Sequence, residues 1–88
     1  MEAWIDQLAE ALGEDPLSEG EVNLLLGVSR NVAHRVERKV TPLAAFLLGE
    51  AVGRSLAGEA TRHDAIEAAY DTVHSLLPPE PAKTASDA

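Results

Sequence analysis

Residues 43–56 of this 88-residue chain read as a helix that is apolar almost all the way round. Leu43, Ala44, Ala45, Phe46, Leu47, Leu48, Ala51, Val52 and Leu56 leave only Glu50, Arg54 and Ser55 as polar side chains. A helix of that kind is stable in water only when other helices surround it. The most apolar run, Val40 to Gly49, is about half of what a bilayer crossing needs, so a membrane span is not the alternative. The flanking segments must therefore supply the partners, and their punctuation is helical.

Trp4, Ile5, Leu8, Ala11 and Leu12 recur at helical spacing and predict a first helix over 2–12, stopped at Gly13 where a left-handed residue is wanted. Ser18 and Glu21 have the capping-box spacing and open a second helix over 19–38. Val22, Leu25, Leu26, Ser29, Val32, Ala33 and Val36 line its buried side. Gly27 inside it costs about 1 kcal/mol against alanine, and a close helix crossing would account for it. Thr41 as cap and Pro42 in the first turn start the third helix, over 42–57, with Gly58 as its stop. Ala45, Gly49, Gly53 and Ala57 form a small-residue stripe along which a neighbour could approach. Thr61 and Asp64 open the fourth helix, over 62–77, with Ile66, Ala69, Tyr70, Val73, Leu76 and Leu77 inward and Pro78-Pro79 ending it. No segment alternates as a strand does. The fold class predicted is all-α: a compact four-helix bundle over residues 1–77, with helix three the most buried, then a disordered tail over 78–88, which has no apolar periodicity.

There is no cysteine, so disulfides and thiolate metal sites are excluded. Net charge is -8, which argues against a nucleic-acid partner, because phosphate contacts dominate such affinity. The first helix carries Glu2, Asp6 and Glu10 where a secretory signal needs a basic start, so a cytoplasmic location without membrane association is expected.

The charge is uneven. Residues 30–39 hold Arg30, Arg35, Arg38 and Lys39 against Glu37, a local +3 in an acidic chain. Arg30, His34, Glu37 and Arg38 are spaced so that they share one face of the second helix, able to hold an anion or an acidic partner segment. The plainer account is that cations near a helix C-terminus offset its dipole, by roughly 0.3–1 kcal/mol each. No nucleophile is positioned beside His34, and no hydrolase, kinase or zinc-protease signature is present, so no catalytic residue is predicted and an enzyme is the least supported class. His63, Glu67, Asp71 and His74 form a strip on helix four, and Asp71 to His74 has a carboxylate-x-x-His spacing. The strip lies to one side of the inward face, and only Glu50 offers a carboxylate on another central helix. No metal or other cofactor is therefore predicted. Glu50 and Arg54, four apart, should form an ion pair worth about 0.3–0.5 kcal/mol. With Leu43 and Leu47 on the same face they would suit a subunit interface as well as a core edge, and a homodimer is expected.

Val32-Ala33-His34, Val36-Glu37-Arg38, Pro42-Leu43, Phe46-Leu47-Leu48-Gly49 and Ala51 to Gly53 together resemble a known pattern, "VAH-x-VER", a short gap, "PL-x-x-FLLG", then "A-x-G". It is similar to that of a family of small bacterial domains of unknown function, found alone or appended to the guanylyltransferase that completes molybdenum cofactor. Trp4 and Leu8 to Gly13 extend the resemblance, which covers residues 1–77. It implies no activity. It implies an accessory role beside molybdenum cofactor proteins, with a protein partner there, and it favours a functional surface at Arg30, His34, Glu37 and Arg38. Two functions stay open: a non-catalytic accessory or protein-interaction module, and a small domain binding an anionic nucleotide or pterin phosphate. A deep pocket converging on His34 would favour the second, and a flat apolar surface the first.

Overall fold

A computed structural model describes residues 2–79. Its α-helices are α1 (Glu2–Ala11), α2 (Glu19–Arg35), α3 (Thr41–Ser55) and α4 (Arg62–Leu76), with a 3-10 turn at Arg38–Val40, and no strand occurs among the described residues. The expected tail lies for the most part outside the described residues; Pro78 and Pro79 follow α4 without regular structure.

Local chemistry explains most of the boundaries. Gly13 takes φ +76 and closes α1 with a crossed pair of hydrogen bonds. Its own amide donates to the Glu10 carbonyl at 3.0 Å, and the Glu14 amide donates to the Ala9 carbonyl at 2.8 Å. Ser18 Oγ accepts from the Glu21 amide at 3.1 Å while Glu21 Oε1 accepts from the Ser18 amide at 2.8 Å, a complete capping box. Thr61 Oγ1 accepts from the Asp64 amide at 3.2 Å at the start of α4.

Two expected boundaries are corrected. α2 stops at Arg35, three residues short, because Glu37 turns extended at φ -168, ψ 139. The amides of Val36 and Glu37 both fall on the Val32 carbonyl, at 2.9 and 3.1 Å, which closes the helix. Thr41 is not a cap but the first residue of α3. The 3-10 turn runs straight into that helix, so the Thr41 amide donates to the Arg38 carbonyl and no gap is left for a capping side chain.

The core draws two residues from each of three helices: Val28 and Val32 of α2, Leu48 and Val52 of α3, Ala65 and Ile66 of α4. Leu24, Leu25, Val40, Ala44, Ala69, Tyr70, Val73 and Leu77 pack around them. Among the described residues no Cα of α1 comes within 8 Å of a Cα in another helix, so α1 flanks the three-helix core. This overturns the expected burial of α3. A helix is buried all round only when surrounded, and with α1 standing off, α3 keeps one side inward. Leu43, Phe46 and Leu47 are 63%, 69% and 63% exposed. The small-residue stripe finds no neighbour either, since a Cβ added at Gly49 or Gly53 would meet nothing within 4 Å.

Gly27 does lie at a helix crossing, between α2 and the Tyr70 ring of α4. A Cβ there would sit 3.7 Å from Tyr70 Cε2, an ordinary contact. Gly27→Ala should therefore raise stability by about 1 kcal/mol through helix propensity alone, measurable as a higher urea midpoint at unchanged slope.

Candidate functional site

The basic decade does not form one helical face. Arg30 and His34 are exposed on the last turns of α2, and Arg38 is exposed on the 3-10 turn beyond the break. Glu37 lies in the extended link, where its carboxylate is 3.7 Å from Lys39 Nζ in a solvent-exposed pair. Spacing places residues 37 and 38 over 30 and 34 only while a helix continues, and it ends at Arg35. Arg30, His34 and Arg38 line none of the three grooves that border α1.

The outer side of α3 is a more extensive feature. Leu43, Leu47, Glu50 and Arg54 are all exposed there, joined by Phe46. Among the described residues no ion pair links Glu50 to Arg54, contrary to the i,i+4 expectation. Beside this ridge an open groove of about 330 Å³ runs between α1 and α3. Ile5, Leu8 and Leu12 form one wall, and Gly49, Gly53 and Leu56 the other.

The α4 strip separates into two unrelated contacts. His63 Nε2 lies 3.7 Å from Glu67 Oε2 on the exposed side. His74 turns the other way: Asn31 Nδ2 donates to its Nε2 at 2.7 Å, which leaves the proton on Nδ1, 3.0 Å from the Tyr70 carbonyl. Its ring also stacks on Tyr70, centroids 4.1 Å apart. These contacts tie α2 to α4. Among the described residues no three His, Asp or Glu side chains gather as a metal site.

Spacing also passes over the strongest polar contact of the fold. Glu21 is buried, and Arg62 grips its carboxylate with two bonds, Nε to Oε2 at 3.0 Å and Nη2 to Oε1 at 2.8 Å. Arg62 donates again to the Asp15 carbonyl at 2.8 Å and the Pro16 carbonyl at 2.7 Å. The guanidinium holds the Glu21 carboxyl at about 2, far below its ordinary 4.5, with the Ser18 hydrogen bonds adding to the effect against burial. The same pairing raises Arg62 above its own ordinary value. One sequence signal marks this clamp: Arg62 is a cation in the first turn of a helix, where the dipole disfavours it.

The surface thus defines a small all-helical domain with a broad apolar side. The chain belongs to the DUF6457 family, a domain of unknown function, which matches residues 1–85. No curated protein and no solved structure matches it. Among the described residues no helix is long and apolar enough to cross a membrane.

Proposed function

We propose that the chain is a non-catalytic interaction module that works as a homodimer, with the outer side of α3 as its contact surface. The observation that carries this is the exposed ridge of Leu43, Phe46 and Leu47, three large apolar side chains on consecutive turns of one helix. Small domains have little core of their own, and covering such a ridge with a second copy adds to it. The exposed Arg30, His34 and Arg38 then serve as a charged area for a further, acidic protein partner. The resemblance at Val32 to His34 and Val36 to Arg38 supports placing that partner in molybdenum cofactor biosynthesis. The anionic-ligand alternative has less support, because α2 ends before Arg38 and these cations line none of the grooves beside α1.

Light scattering over a concentration series tests the dimer. The parent chain should approach twice 9.3 kDa. Leu47→Glu should return it to the monomer mass while leaving its helix content unchanged. A parent that stays monomeric at every concentration, or a Leu47→Glu variant that still dimerises, defeats the proposal.

A further inference from the structure

α3 carries its bulk and its room at opposite ends. Leu43, Phe46 and Leu47 stand out from its first two turns. Farther along, a Cβ at Gly49 or Gly53 would meet nothing within 4 Å, and the groove beside these glycines is walled by Ile5, Leu8 and Leu12 of α1. Phe46 sits one turn from Gly49 on the same helix and points into solvent, 69% exposed. The large end of such a helix is complementary to the small end of an identical helix laid antiparallel on it. A two-fold axis supplies that arrangement twice over.

We propose that two copies pair through α3 about a two-fold axis near Gly49 and Glu50, each seating its Phe46 in the α1–α3 groove of the other. This rests on the reading that a second copy covers the α3 ridge. At about 1.5 Å rise per residue, such an axis sets Phe46 level with Gly53 of the second copy, and Leu43 level with its Leu56. Absent side chains at the glycines let the two backbones approach. The charges agree with the arrangement. Glu50 and Arg54 are exposed with no ion pair between them, and the axis brings each Glu50 to about 7.5 Å, along the helix, from Arg54 of the other copy. That offset is within the reach of an arginine side chain, so two symmetric ion pairs would border the apolar centre.

Filling the groove is the sharpest test, using the full chain. Gly53→Leu adds bulk where the single chain has space, and leucine is the better helix former, so a dilute, monomeric sample should melt no lower than the parent. Its dimer dissociation constant should nevertheless rise by about tenfold or more, because the added side chain occupies the space meant for Phe46. Glu50→Arg and Arg54→Glu should each weaken the dimer, and combining them in one chain should restore it. If Gly53→Leu dimerises as tightly as the parent while Leu47→Glu does not, the copies meet through α3 in another arrangement and this seating is wrong. Failure of the combined charge reversal to recover affinity also overturns it. A monomeric parent, or a Leu47→Glu variant that dimerises, removes the underlying reading as well.

Discussion

Arg62→Ala should lower the melting temperature by roughly 15 °C, a loss of about 3 kcal/mol in a domain of this size. The substitution removes both bonds to the Glu21 carboxylate and both bonds to the Asp15 and Pro16 carbonyls. It leaves a buried carboxylate whose side chain is only 6% exposed, and that orphaned charge is the larger part of the cost. Making the pair apolar, as Glu21→Leu with Arg62→Met, should not restore the parent value, because the Ser18 amide and the two loop carbonyls would still lack their partners. The pair should also mark the acid limb of the stability curve. Glu21 has its folded pKa depressed to about 2 from 4.5, so its contribution is complete above 4.5 and disappears as pH falls toward 2. That contribution is on the order of 3 kcal/mol, and the parent should lose it across this window while Arg62→Ala, starting lower, loses much less. Denaturant melts at pH 6 and pH 3 on both proteins measure it; equal acid sensitivity would show that the clamp is not its source.

Ile66→Ala should cost about 3 kcal/mol, and Leu76→Ala on the same helix no more than about 0.5. Ile66 is 3% exposed, at the centre of the three-helix core, and its truncation leaves a cavity among Val28, Val32, Leu48 and Val52. Leu76, which the helical pattern places inward, is instead 80% exposed, at the end of α4. The pair of variants fixes the rotation of α4 about its axis. Comparable losses in urea denaturation for the two would mean that the inward side has been placed wrongly.

Elements with chemistry of their own are legible in the sequence. Gly13, the Ser18–Glu21 box and Thr61 each act within a few residues of chain, and each acts as its spacing indicates. The end of α2 is not legible, because Val32 to Arg38 is good helical sequence and only the turn into α3 interrupts it. That interruption is also what scatters the basic decade. The burial of α3 escapes the pattern for a different reason. An all-round apolar helix shows what needs covering, and here the chain itself covers one side. Glu21 and Arg62 lie 41 residues apart, and no periodicity links them. Asn31 and His74 meet across 43 residues for the same reason, so the histidine that spacing groups with metal-ligand types is held by an amide instead.

The clamp has a consequence for the order of events during synthesis. A ribosome releases the N-terminus first. The carbonyls of Asp15 and Pro16 wait 47 and 46 residues for the guanidinium that holds them. Glu21 waits as well, an acid destined for burial with no counter-ion yet made. The core repeats the pattern, since its α2 and α3 halves meet no Ile66 until the last helix emerges. A nascent chain ending anywhere before α4 therefore has neither its polar latch nor a closed interior. Folding in stages from the first helix onward would leave both unmade, and the domain should compact in one step once α4 is available.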